Sequence, residues 1–263
     1  MNKNIGTNIG VVGLGAMGRG MAASLRRAGW NVHVCDVRLE AAQAFAADGG
    51  VACASPAELA AHCEVIVSVV VNAAQTDTVL FGDGGAAAAM QPGSLFIMCS
   101  TVDPNVSVQF EQRLAALGLL YLDAPISGGA AKAASGEMTM MTSGTPAAYA
   151  KAGSALEAMA AKVYRLGDQA GNGSKVKIIN QLLAGVHIAA AAEAMALGLR
   201  EGVKAEDIYE VITHSAGNSW MFENRMAHVL AGDYTPLSAV DIFVKDLGLV
   251  LDMARASKVP WPL

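Results

Sequence analysis

Residue types able to move a proton gather in the stretch "GNGSKVKIINQ", residues 171–181. Lys177 and Asn180 fall three apart with Gln181 alongside, so on a helix opening near Ser174 they share one face. A helix N-terminus is the positive end of the macrodipole, where a second positive charge is disfavoured. A lysine held there, partly desolvated, leans toward the neutral amine and becomes competent as a general base. Asn180 would hold a hydroxyl by a neutral hydrogen bond. The competing reading is a lysine whose stem covers apolar surface while its head stays in water. Lys175, two residues earlier, is expected to do that.

Two further groupings could serve such a base. Ser127-Gly128-Gly129, within "DAPISGGAAKAASGEMTMMTSG", offers a hydroxyl and successive unobstructed backbone N–H groups, a geometry suited to a carboxylate. The alternative is a flexible loop between two strands. Near the N-terminus, "GVVGLGAMGRG" contains Gly13-x-Gly15-x-x-Gly18 directly after a β-rich run and at the opening of a helix. That context, more than the spacing, marks a dinucleotide fingerprint. Gly13 would permit the tight turn, Gly15 the approach of the pyrophosphate, and Gly18 close helix–strand packing, with Leu14, Ala16 and Met17 completing the loop. Asp36 ends the next strand, about 20 residues on, where a carboxylate accepts from ribose hydroxyls and repels a 2′-phosphate. NAD is therefore expected in preference to NADP, with Arg38 two residues on able to weaken the preference. The plainer alternative is a glycine turn and Asp36 as a helix cap.

The elements that would position these groups follow from hydrophobic patterning. Continuously apolar runs at "NIGVVGLG", "NVHVCD", "CEVIVSVVV", "SLFIMCS", "LLYLDAP", "EMTMMTSG" and "AKVYRLG" alternate with helical patterns up to Gly167. Buried strands separated by helices imply a mostly parallel sheet covered on both faces. After Gly167 the pattern is helical only, beginning with one run from 174 to about 201, on the order of 40 Å long. The expected fold is α/β: a Rossmann-type, doubly wound, mostly parallel sheet over residues 1–167, then an all-α domain over 168–263.

Composition limits the partners. The 263 residues carry a net charge of −5 and no basic tract, which argues against nucleic acid. The longest apolar runs are alanine-rich and amphipathic or interrupted by Glu193, so no membrane span is expected. Cys35, Cys53, Cys63 and Cys99 lack CxxC spacing and sit in or beside apolar runs, as buried thiols of a cytoplasmic protein do. The five histidines are scattered without ligand-like spacing, so no metal site is expected.

Taken in order, "GLGAMG", "STVDP" at 100–104, "DAPISGG" at 123–129, "GNGSKVKIINQ" and "KDLGLVLD" at 245–252 resemble the β-hydroxyacid dehydrogenase family, which includes 3-hydroxyisobutyrate dehydrogenase and tartronate semialdehyde reductase. The resemblance spans essentially the whole chain. It implies hydride transfer between a nicotinamide cofactor and a small carboxylate-bearing hydroxy acid. Lys177 would be the acid/base, Asn180 a substrate contact, and Ser127, Gly128 and Gly129 the carboxylate clamp. Thr101 and Lys245 would contact the cofactor or line the nicotinamide end of the cleft. "VVVNAAQTDTVLFG" and "HSAGNSWMFENRM" look most like the L-threonate dehydrogenase branch, which oxidises a four-carbon sugar acid at C2 to 2-dehydro-L-erythronate. Gln75 and Asn218 in those stretches could meet a sugar hydroxyl, or be a loop side chain and a cap. Asp246 could orient Lys245, or pair on a helix face. The chain ends at "KVPWPL" where the family continues for several tens of residues, so the last helices are expected to be missing. A homo-oligomer paired through the apolar long helix is also expected. Two readings compete. One is the same machinery acting on 3-hydroxyisobutyrate or tartronate semialdehyde. The other is a non-catalytic nicotinamide-binding sensor, which could have lost Lys177, the clamp or Asn180 but has not.

Overall fold

The computed structural model describes residues 6–235 and 239–260. Six strands form one all-parallel sheet in the order β3-β2-β1-β4-β5-β6. They are β1 (Asn8–Val12), β2 (Asn31–Cys35), β3 (Val51–Ala52), β4 (Val65–Ser68), β5 (Leu95–Met98) and β6 (Leu120–Asp123). The crossover helices are α1 (Gly18–Arg27), α2 (Leu39–Ala47), α3 (Pro56–His62), α4 (Ala73–Phe81) and α5 (Pro104–Ala115). Because strand order reverses between β1 and β4, the crevice at their carboxyl ends is the place this architecture keeps for a ligand. The loop after β1, with Gly13 to Gly18, opens there.

The central strands are buried on both faces, which explains their unbroken apolar character: β4 and β5 have no exposed residue. One core includes Ile9, Val11, Leu25, Val67 and Ile97; the other, across the sheet, includes Leu59, Ile66, Phe96, Phe110 and Leu114. Helix α1 stops where the sequence indicates. Gly29, at φ +93°, donates to Arg26 O and Trp30 N donates to Leu25 O, the paired bonds of a Schellman motif.

The later apolar runs do not extend this sheet. Instead β7 (Ile126–Ser127), β8 (Met138–Thr142) and β9 (Ala160–Arg165) make a second, three-stranded sheet, with β7 and β8 antiparallel and β8 and β9 parallel. Helices α6 (Gly129–Ser135) and α7 (Pro146–Met159) connect them. An apolar run reveals burial but not its pairing partner, so "EMTMMTSG" and "AKVYRLG" read as further strands of one sheet in sequence.

Beyond β9 the described chain is helical: α8 (Asn172–Arg200), α9 (Ala205–Thr213), α10 (Trp220–Leu230) and α11 (Asp241–Ala256). Two compact units divide inside α8, at Lys177 and Ile178. The first turns of α8 thus pack with the sheet unit, for reasons given below. In the second unit Ala191 and Met195 of α8 bury against Phe222 and Met226 of α10. By length and composition α8 could cross a membrane, although the sequence suggested no such span: its most apolar window averages 1.7 in hydropathy and is 17% buried.

Candidate active site

The loop after β1 divides its glycines by task. Gly13 has φ +93°, and a Cβ there would lie 2.6 Å from Val69 O of the neighbouring strand's exit. A Cβ on Gly18 would run into the Gly13 carbonyl oxygen, so the turn closes only with glycine at both positions. Gly15 differs: a Cβ would meet nothing within 4 Å. The protein does not need that side chain to be missing; space is left beside the backbone, as a pyrophosphate cradle requires. Leu14 is buried, Met17 is half-buried against the core, and Ala16 is exposed.

Asp36, at the end of β2, braces this loop. Its Oδ2 accepts from Leu14 N at 2.6 Å, and its Oδ1 accepts from Arg38 N at 2.9 Å and Arg38 Nε at 3.3 Å. Burial alone would raise the carboxyl pKa, but these bonds and the guanidinium outweigh it and hold Asp36 below the usual range. Arg38 is largely exposed and spends its Nε on Asp36, so it adds only a weak, screened pair. An ionised carboxylate at the β2 terminus fits NAD.

Ser127 and the two glycines lie at the junction of β7 and α6, with Ser127 paired in register to Thr139. Gly128 and Gly129 have φ +141° and +79°, and a Cβ on Gly129 would meet nothing within 4 Å. Consecutive residues of positive φ turn backbone N–H groups into a concavity that suits an anion. Helix α6 is fixed against the cofactor helix: Ser24 Oγ donates to Ala133 O at 3.0 Å, and a Cβ on Gly20 would strike the backbone at Ala133 and Ala134. One helix, α1, therefore sets both the fingerprint loop and the candidate clamp. Thr101 follows β5, half-buried; its neighbour Ser100 donates to Val70 O at 2.7 Å and contacts Thr76 Oγ1 at 3.1 Å, tying two crevice loops together.

Lys177 is buried, 7% exposed, and closes the same compact unit as the fingerprint loop. Lys175 is exposed, with Nζ 3.4 Å from Asn172 Oδ1. The turn that carries Lys177 is held by Asp123 at the end of β6. That carboxylate accepts from Gly171 N (3.0 Å), Ser174 N (2.9 Å), Ser174 Oγ (2.7 Å) and Ser143 Oγ (3.2 Å). Ser143 Oγ in turn accepts from Gly173 N at 2.9 Å. Burial pushes the Asp123 carboxyl above its usual range, against the pull of the bonds from Ser174, Gly171 and Ser143. Just upstream, Glu111 of α5 accepts from Ala170 N at 3.2 Å. No role is read from the sequence for Asp123, Ser143 or Glu111, although Asp123 both ends the apolar run "LLYLD" and opens the motif "DAPISGG".

One turn after Lys177, in the second unit, Asn180 starts a chain of contacts. Its Nδ2 donates to Gln181 Oε1 at 3.1 Å, Gln181 Nε2 donates to Asp246 Oδ2 at 2.6 Å, and Lys245 Nζ lies 2.8 Å from Asp246 Oδ1. Gln181 and Asp246 are buried. Asp246 thus engages Lys245 directly, and Asn180 joins the same network through Gln181.

Other candidates resolve more plainly. Asn72 Oδ1 accepts from Gln75 N while Gln75 Oε1 accepts from Val71 N, a reciprocal cap on α4, so Gln75 is employed within its own turn. Asn218 Nδ2 donates to Thr213 O and Glu223 Oε2, bracing the α9–α10 loop. All four cysteines are free and buried, and burial pushes Cys35 and Cys53 up to about 11 and Cys63 to about 12. Among the described residues no group of three or more His, Cys, Asp or Glu side chains is arranged to hold a metal.

The chain is similar to several known proteins. Residues 8–167 match the family model for the NAD binding domain of 6-phosphogluconate dehydrogenase. Residues 171–263 match the one described as NAD-binding of NADP-dependent 3-hydroxyisobutyrate dehydrogenase. The chain is 70% identical over 256 residues to an L-threonate dehydrogenase of Cupriavidus necator, covering 97% of this chain and 86% of that one. An Escherichia coli L-threonate dehydrogenase is 51% identical, covering 97% and 85%. A crystal structure described as 3-hydroxyisobutyrate dehydrogenase from Salmonella typhimurium superposes with a TM-score of 0.92 at 53% identity, covering 98% and 90%.

Proposed function

The chain belongs to the β-hydroxyacid dehydrogenase family, 3-hydroxyisobutyrate dehydrogenase-like, and from that premise we propose that it oxidises L-threonate at C2 with NAD, using Lys177 as the acid/base. One observation carries the mechanism: Lys177 is buried, belongs to the unit that holds the fingerprint loop, and stands one helical turn from Asn180. The names of relatives 51% and 70% identical support the substrate.

NAD, when bound, supplies the nicotinamide C4 that receives the hydride. The residues of the chain do the rest. Backbone at Gly13 to Gly18 takes the pyrophosphate and Asp36 the adenosine ribose. Ser127, Gly128 and Gly129 hold the carboxylate of the acid by hydrogen bonds from the hydroxyl and the backbone. Asn180 fixes the reacting hydroxyl, and Lys177 Nζ, as the neutral amine, takes the hydroxyl proton as the hydride leaves C2. The carbinol becomes a ketone, giving 2-dehydro-L-erythronate, and the proton passes from Lys177 to water. Thr101 and Lys245 would contact the cofactor or line its nicotinamide end. NAD is preferred to NADP because the Asp36 carboxylate would face a 2′-phosphate. The four free, buried cysteines support a cytoplasmic setting for this chemistry. Exposed Ile179, Leu183, Leu197 and Leu199 on α8 support a homo-oligomer paired through that helix, which sedimentation would detect as a mass at least twice that of the chain.

A substrate panel tests the reading. NADH formation at 340 nm is measured with L-threonate, D-threonate, D-erythronate, D-glycerate and 3-hydroxyisobutyrate. L-threonate should give the highest kcat/KM by at least about tenfold. A preference for 3-hydroxyisobutyrate, the activity in the name of the Salmonella structure, would keep the machinery and replace the substrate. Silence on every acid in an NAD-binding protein would favour a sensor.

A further inference from the structure

Asp123 is a fully buried carboxylate whose four hydrogen-bond donors are all neutral. Such burial is costly, since a carboxylate taken from water needs compensation at every lone pair. Those donors are unevenly distributed. Three of the four are on Gly171 and Ser174, at the opening of α8, and the fourth, Ser143 Oγ, itself accepts from Gly173 N. Of the N–H groups that a helix start leaves without partners, those of Gly171, Gly173 and Ser174 are here taken by one side chain and its hydroxyl neighbour. Those three N–H groups are turned to the protein's own side chains and not to a substrate carboxylate.

Close packing reinforces the hold. A Cβ on Gly173 would run into Met141 O and stand 3.1 Å from Asp123 Oδ2. The Asp123 and Ser143 backbones also bond to each other, Asp123 N to Ser143 O at 3.0 Å and Ser143 N to Asp123 O at 2.8 Å. The end of β6, the end of β8 and the first turn of α8 are thus locked at one point. Lys177 follows Ser174 by three residues, on the same face one turn on.

We infer that Asp123 is a positioning residue for the proton-transfer step: by fixing the first turn of α8 to the sheet unit, it sets where Lys177 Nζ stands. The inference rests on the reading of Lys177 as the acid/base. A displacement of about 1 Å in such a group is enough to cost roughly a hundredfold in rate.

Steady-state kinetics with L-threonate and NAD, with NAD dissociation constants measured alongside, are compared for wild type, Asp123→Ala, Asp123→Asn, Ser174→Ala, Lys177→Ala and the double variant Asp123→Ala/Lys177→Ala. Asp123→Ala should lower kcat about a hundredfold, with KM and NAD affinity within about threefold of wild type. Asp123→Asn keeps an acceptor for the helix N–H groups and should recover to within about tenfold of wild type. The deuterium isotope effect on C2-labelled substrate should rise in Asp123→Ala, which a mere loss of folded enzyme would not produce. In the Lys177→Ala background the Asp123 change should cost nothing further.

An unchanged kcat in Asp123→Ala while Lys177→Ala is inactive would overturn the inference alone. An equal loss from Asp123→Ala in both backgrounds would overturn it as well, since Asp123 would then act on the fold at large. Full activity in Lys177→Ala would overturn the proton-transfer reading and the inference with it. Should Asp123→Ala fail to fold, Ser174→Ala decides: a several-fold drop in kcat at constant KM supports the inference, and an unchanged kcat overturns it.

Discussion

Two helix starts in the sheet unit are put to opposite uses. At α1 the chain leaves space: a Cβ on Gly15 would meet nothing, and the loop is braced from behind by Asp36 through Leu14 N. At α8 the chain fills the space: Asp123 and Ser143 occupy the N–H groups of Gly171, Gly173 and Ser174. Both ends carry the same partial positive charge. One is left open, as the proposed pyrophosphate site needs, and the other is closed with the protein's own anion. A helix N-terminus is therefore not a binding site by default; what already lies against it decides.

That contrast can be broken in order of expected size. Gly18→Ala should be the most damaging, above about 3 kcal/mol of stability, because the new methyl meets the Gly13 carbonyl and only backbone movement can relieve it. Chemical denaturation measures it; a loss under about 1 kcal/mol would mean the turn is looser than its packing implies. Next is Gly173→Ala, expected to cost about 2 kcal/mol and to lower kcat while NAD affinity holds, since the clash with Met141 O lies at the α8 end. If NAD affinity falls in step with kcat, the two helix starts are not independent.

Asp36→Asn should act on cofactor choice and on acid stability. Because its folded-state pKa is depressed, the ionised carboxylate contributes stability that is present above the unfolded value near 4 and is lost as pH falls through the folded one. The variant should therefore be less stable at neutral pH and show a flatter stability profile below about pH 4, with the NADP-to-NAD ratio of kcat/KM raised roughly tenfold or more. The smallest effect on stability should come from Gly15→Ala, within about 0.5 kcal/mol, although NAD binding weakens at least tenfold, or about 1.4 kcal/mol. A destabilised Gly15→Ala protein would show that the cradle is filled by the chain itself.

Sequence legibility follows the same divide. The fingerprint loop, Asp36 and the C′ glycine of α1 are local, each placed within one strand–turn–helix, so type and spacing are enough to locate them. The clamp glycines were placed by motif and their positive φ values fit the expected task. The α8 end depends on pairs roughly 30 to 50 residues apart, Asp123 with Ser174 and Ser143 with Gly173, which no period in the sequence announces. Lys177 was nominated by type, but what holds it was not. The small β7-β8-β9 sheet escaped for a related reason, since an apolar run does not name its partner strand. Gln75 is engaged within its own turn, its N donating to Asn72 Oδ1 and its Oε1 accepting from Val71 N, a local pattern that leaves its part toward a substrate open.

In the proposed reaction the buried lysine at the closed helix start moves the proton. The most direct test of this is Lys177→Ala assayed on L-threonate, with NAD affinity measured on the same preparation. Lys177→Ala is expected to lower kcat about a thousandfold with the NAD dissociation constant unchanged within about twofold. A variant that binds NAD normally and still turns over within about tenfold of wild type would contradict it.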